Sequence, residues 1–103
     1  MINPNTLSIG NLIKRHDNPN PFALNAYGIL NVSLRPENFF PVEITEERLR
    51  EAGFVEHPTG RFRLDQFVID DRDHIYLGSM PLVRKGAWHD LQNLVRLISG
   101  KEI

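Results

Sequence analysis

Residues 87–99 carry Trp88, Leu91, Leu94, Val95 and Ile98 at three- and four-residue spacings, with Asp90, Gln92, Asn93 and Arg96 between them. At 3.6 residues per turn the apolar side chains share one stripe, and Gly100 is placed to stop the helix. A helix with a single apolar face is stable in water only when another surface covers that face. The rest of the chain must supply that surface, and its patterns are mostly those of short strands.

Over residues 7–15, Leu7, Ile9 and Ile13 fall on alternating positions interrupted by Gly10-Asn11, which predicts a strand with a bulge or tight bend at the glycine. Residues 15–21 are rich in turn formers and contain Pro19 and Pro21, so a loop is expected. Alternation returns at Phe22, Leu24 and Ala26, then at Leu30, Val32 and Leu34, as in a strand or a hairpin turning near Tyr27-Gly28. Arg35-Pro36-Glu37-Asn38 ends it, and residues 39–44 read as extended. The first half is thus expected to hold three strands.

The segment Ile44-Thr45-Glu46-Glu47-Arg48-Leu49-Arg50-Glu51-Ala52-Gly53-Phe54 predicts a two-turn helix. Thr45 suits the N-cap, Glu46 and Glu47 set negative charge at the positive helix end, and Gly53 suits the left-handed position after the last turn. Ile44 and Leu49 can form a hydrophobic staple, and Phe54 can return onto Leu49. Residues 61–70 alternate twice but change phase between Leu64 and Phe67, as a strand bulged near Asp65-Gln66 would. A turn at Asp71-Arg72-Asp73 and a strand with Ile75 and Leu77 on one side complete an antiparallel hairpin. The expected fold is α+β in one domain, 1–103: a small antiparallel sheet, with a barrel-like N-terminal part as one arrangement, a short central helix and a C-terminal amphipathic helix.

A hydrophobic content of 41% with 24% charged residues lies near the globular average, which excludes the disordered class. With no cysteine, disulfides and thiolate zinc sites are excluded. The N-terminal residues lack the basic and apolar regions of a signal peptide, and no stretch approaches the roughly 18 apolar residues of a membrane span, so an intracellular protein is expected. The net charge of −1 divides unevenly: +2 over residues 1–36, −4 over 37–60 and +1 over 61–103. No block is basic enough to announce nucleic-acid binding by phosphate neutralisation.

Three landmarks resemble a known family. These are Ser8-Ile9-Gly10-Asn11-Leu12, the helix segment 43–54, and His89-Asp90-Leu91-Gln92-Asn93-Leu94 continuing to Ser99-Gly100-Lys101-Glu102-Ile103. The family comprises small uncharacterised proteins of phages, prophages and conjugative elements of the Bacteroidetes group, which read IGN near the start, LTEEWLLKFGF in the middle and HQLQNLYFALTGKEL at the end. Arg48 stands where that pattern has Trp, and Val95-Arg96 replaces an aromatic pair. The resemblance implies a mobile-element origin and no assigned chemistry. Small accessory proteins of such elements often bind a host machine, including defence nucleases.

Among candidate sites, Asp70, Asp71 and Asp73 beside His74 could hold a divalent metal or serve in acid–base catalysis, but Asp is also a favoured turn former and the spacing matches no metal loop. His89 and Asp90 are adjacent on a helix and point about 100° apart, which argues against a catalytic pair. Ser8, Ser33, Ser79 and Ser99 lack a nucleophile-elbow setting, and no Gly-rich phosphate loop occurs, so no catalytic residue and no cofactor is assigned. The acids Glu43, Glu46, Glu47, Glu51 and Glu56 could dock a basic groove, with Arg50 among them and the aromatic pair Phe39-Phe40 as an anchor; the plain alternative is a solvated face. Lys14, Arg15, Arg84 and Lys85 would serve a nucleic-acid-binding module.

The sequence therefore favours a non-enzymatic accessory protein of the host cytoplasm that binds a host protein, such as a nuclease or nucleoprotein complex, in the manner of an anti-CRISPR inhibitor. A small nucleic-acid-binding module comes second, a metal-dependent enzyme using the 70–74 turn third, and no membrane is involved. Whatever the function, Trp88 belongs to the core stripe. Trp88→Ala is expected to lower stability by about 3–5 kcal/mol, read as a fall in the urea midpoint at unchanged slope.

Overall fold

The computed structural model describes every residue except Met1, Asp71, Asp73 and Lys85. After a 3₁₀ turn at Pro4–Thr6 come β1 (Leu12–Arg15), β2 (Asn18–Ala23), α1 (Ala26–Leu34), a second 3₁₀ turn at Pro36–Asn38 and β3 (Phe39–Pro41). Then follow α2 (Glu46–Glu51), β4 (Val55–Glu56), β5 (Phe62–Leu64), β6 (Phe67–Ile69), β7 (Ile75–Leu77), β8 (Met80–Val83) and α3 (Trp88–Ser99). The class is α+β with two open antiparallel sheets, ordered β2-β1-β3 and β4-β5-β6-β7-β8, and neither closes into a barrel.

Four local expectations change. The strand over residues 7–15 begins only at Leu12, because Gly10, at φ +92, sits in a turn. Residues 18–23 are a strand, not a loop: β1 and β2 form a hairpin in which Arg15 faces Asn18 across His16-Asp17. Pro19 and Pro21 are tolerated because β2 is an edge strand, so their missing N–H groups cost no central ladder bond. Residues 26–34 are a helix, not a strand. Asn25 caps it by accepting the Gly28 N–H at 2.8 Å, and Val32 is buried in the core against the three-stranded sheet.

The fourth change explains the phase slip near Asp65. Instead of one bulged strand there are two, β5 and β6, with Leu64 facing Phe67 and Asp65-Gln66 as the connecting turn. Asp65 adopts φ 51, the left-handed conformation that two-residue hairpins require and that Asp tolerates. Gly78, at φ 62, serves the next hairpin, where Leu77 faces Met80. The β4 and β8 strands extend the expected hairpin to five strands.

Both expected helices form. Thr45 Oγ1 accepts the Arg48 N–H at 3.2 Å, Gly53 adopts φ +98, and Phe54 N–H returns to Leu49 O at 2.9 Å. Ile44, Leu49 and Phe54 enter a core with Val42, Phe62, Phe67, Ile69, Ile75, Trp88, Leu91 and Val95. This core lies between the five-stranded sheet and helices α2 and α3. A smaller one, of Ile2, Ile13, Leu24, Val32 and Phe39, lies between α1 and the three-stranded sheet.

Polar side chains of α3 join the two parts. Pairing of β1 with β3 ends at Ile13 and Pro41; one residue further, Leu12 N–H donates to Gln92 Oε1 at 2.8 Å. Gln92 Nε2 donates to Ile103 O at 3.2 Å. Asn11 Nδ2 donates to Asn93 Oδ1 at 2.9 Å, and Asn93 Nδ2 donates to Thr6 O at 2.8 Å. Arg96 Nη2 reaches Ile9 O at 2.8 Å by passing over Gly10, where an added Cβ would lie 3.2 Å from the guanidinium. Gln92→Leu keeps the volume but strands the Leu12 N–H, and is expected to cost about 1–3 kcal/mol by urea unfolding.

Candidate interaction surface and the placed site residues

An α-helix that is apolar all round belongs inside a protein. α1 is uncharged and largely apolar: its side chains include Tyr27, Ile29, Leu30, Val32 and Leu34, with Asn31 and Ser33 as its polar members. Only one side is covered. Val32 is fully buried, while Tyr27, Leu30 and Leu34 are 79%, 55% and 71% exposed. At 100° per residue, positions 27, 30 and 34 lie within about 60° of one another, so they make one solvent-facing stripe opposite Val32. From Asn18 to Leu34 the chain carries no charged side chain, so β2 and α1 together form a neutral tract.

None of these three residues is a protein-binding candidate on sequence alone. Leu30 and Leu34 were read with Val32 on one strand face, whereas the helix puts Val32 opposite them. The signal that could have found them is the neutral tract itself, since interface cores are depleted in charge and enriched in Tyr.

The acidic candidates are exposed but partly neutralised. Glu43, Glu46, Glu47, Glu51 and Glu56 all face solvent. Arg50 bridges Glu56 at 2.8 Å and Glu46 at 3.4 Å and lies 5.5 Å from the centre of the Phe62 ring. Arg50 therefore ties α2 to β4 and β5, and among the described residues Glu43, Glu47 and Glu51 are the acids of the group without an ion pair. Phe39 is buried in the smaller core; Phe40, 38% exposed, is the member of the pair that reaches solvent.

The basic candidates among the described residues belong to different sheets. Lys14 and Arg15 end β1 in the three-stranded sheet, where Arg15 meets Asp17 at 3.3 Å. Arg84 follows β8 of the five-stranded sheet, and Lys85 lies outside the described residues.

In the 70–74 turn, Asp71 and Asp73 are also outside the described residues. Asp70 acts as the clasp of the turn. Its Oδ1 accepts the N–H groups of Arg72 and His74, both at 2.9 Å, and its Oδ2 meets Tyr76 Oη at 3.2 Å and His74 Nδ1 at 3.1 Å. Burial raises the Asp70 pKa, but the His74 and Arg72 N–H groups, the His74 charge and the Tyr76 hydroxyl outweigh it and hold the carboxyl below its ordinary value. Among the described residues no three His, Asp or Glu side chains gather as a metal site would require.

His89 is buried, at 4% exposure, in the seam between the two parts. Thr6 donates its hydroxyl hydrogen to Asn3 O at 2.7 Å, so His89 Nε2, 3.1 Å from the same oxygen, must be the donor there. The proton thus sits on Nε2, and Nδ1 is buried without a partner among the described residues. The nearest Asp90 oxygen is 3.6 Å from Nε2, beyond hydrogen-bond distance, while Asp90 Oδ2 accepts the Ala87 N–H at 2.8 Å as a helix cap.

Compared with known protein families, characterised proteins and solved structures, the chain matches none of them. No helix among the described residues is long and apolar enough to cross a membrane.

Burial lowers the His89 pKa below 6.5, only partly offset by the Asp90 charge. The unfolded chain therefore binds a proton that the folded chain refuses. This stability contribution is complete above about pH 6.5 and declines as the pH falls toward the folded-state value. Asp70 gives way separately, as the pH falls below its unfolded value near 3.8. Urea midpoints of the wild type are expected to drop between pH 7.5 and 5, and His89→Gln, which keeps a donor for Thr6, to remove that part of the drop.

Proposed function

We propose that this chain is a non-enzymatic interaction module that seats α1 in an apolar groove of a protein partner. The observation that carries the reading is the exposed stripe Tyr27, Leu30 and Leu34 on an uncharged helix. Its i, i+3, i+7 spacing is the pattern by which helices anchor in hydrophobic grooves, and Tyr is the anchor most enriched at hot spots among these residues. A neutral tract fits a groove whose centre is also free of charge, because an unpaired charge buried there would be penalised.

The resemblance to phage and conjugative-element proteins supports a bacterial host protein as the partner, in the host cytoplasm. A defence nuclease or its nucleoprotein complex is the particular case, and inhibition the particular effect. The separated basic residues leave nucleic-acid binding as the second reading.

The test is capture of partner from a lysate of the bacterial host by tagged protein, with and without nuclease treatment, using variants whose folding is verified by circular dichroism. The Leu30→Glu/Leu34→Glu variant should lose the captured protein by about tenfold or more. Glu46→Lys/Glu47→Lys/Glu51→Lys should retain it. Retention by the first variant and loss by the second would move the interface to α2; loss on nuclease treatment would replace the proposal with nucleic-acid binding.

A further inference from the structure

A second concave site lies along β7 and β8, apart from α1. Its cleft, about 370 Å³, is lined by His74, Tyr76, Pro81, Leu82, Val83 and Arg84. That volume is within the range of small-molecule sites, and most of the wall is apolar, with three polar groups. Their hydrogen-bonding roles are fixed by the clasp described above. Asp70 Oδ2 takes the His74 Nδ1 hydrogen at 3.1 Å and the Tyr76 hydroxyl hydrogen at 3.2 Å. What Tyr76 can offer a ligand is then the phenolic oxygen, an acceptor. Arg84 offers only donors, in the planar fork that matches a carboxylate.

We propose that the β7–β8 cleft binds a small aromatic hydroxy-carboxylate, its carboxylate on Arg84, its hydroxyl hydrogen donated to the Tyr76 oxygen, and its ring among Tyr76, Pro81, Leu82 and Val83. The ligand needs both ends. A simple anion would meet an acceptor at the far side of the cleft, and a neutral phenol would leave the guanidinium unused. The aromatic body follows from the Tyr76 ring and the proline wall, against which a flat ring packs with the largest contact.

The probe is 4-hydroxybenzoate, titrated into the isotope-labelled full chain and followed by NMR, with benzoate, phenol and inorganic phosphate as comparison ligands. Saturable shifts at His74, Tyr76 and Arg84 are expected, with a Kd of about millimolar or tighter for a ligand of this size. Benzoate and phenol should each bind several-fold more weakly, and phosphate should not saturate. Arg84→Gln, an exposed position whose change leaves the core intact, should weaken 4-hydroxybenzoate and benzoate but not phenol. Tyr76→Phe, which removes the acceptor for the hydroxyl, should reduce 4-hydroxybenzoate to the benzoate level. Absence of saturable shifts at these residues, or binding of 4-hydroxybenzoate unchanged in Arg84→Gln, would overturn the proposal.

Discussion

The two sheets share no strand, and the amide side chains of Asn11, Gln92 and Asn93, together with Arg96 and His89, join them. Gln92 Oε1 takes the N–H that β3 would have taken had it continued beside β1, so a side chain of α3 finishes a backbone ladder. Asn11 and Asn93 pair with each other and, through Ser8 N–H and Thr6 O, with the loop before β1. Buried amides are costly unless satisfied, and cooperative once satisfied. The seam therefore fixes the register between the halves more sharply than apolar contact would. It also accounts for Gly10: only a residue at ease at φ +92 and without a side chain leaves room for Arg96 to reach Ile9 O.

Two of the three sequence landmarks, residues 8–12 and 89–103, meet at this seam. Gly10 and Asn11 from the first, and Gln92, Asn93 and Ile103 from the last, touch one another directly. Their spacing is explained by what they hold together. The exposed stripe and the β7–β8 cleft draw on neither of these two landmarks, so a chain could keep the seam and present a different surface on α1.

The legible parts of the fold were those whose cause is local. α2 is specified by Thr45, Leu49, Gly53 and Phe54 within a dozen residues, and α3 by its own stripe and Gly100. α1 was illegible because Leu30, Val32 and Leu34 alternate with the two-residue period of a strand, whereas in the helix Val32 lies opposite the other two. What distinguishes the two readings is the Asn25 cap and the place of Val32 in the smaller core. At residues 61–70 the phase change was visible, but whether it meant a bulge or a turn rested on one dihedral at Asp65. The surface followed the same rule. Glutamates could be counted from the sequence, but the bridging of two of them by Arg50 depends on where β4 passes, and the stripe could not be seen until α1 was a helix.

The two cores are unequal: among the described residues, eleven buried side chains pack between the five-stranded sheet and its helices, and five pack beneath α1. In a molecule 41 Å long and 25 Å across, such unequal cores behave as cooperative units of different strength, and the weaker opens first. α1 is anchored in the weaker unit. Amide exchange would then be faster in residues 2–39 than in the five-stranded sheet, and a partner that closed over Tyr27, Leu30 and Leu34 would slow it there by mass action. The surface that looks most like an interface is thus mounted on the half best able to adjust its shape, which lets one small helix adapt to a groove it does not match in advance.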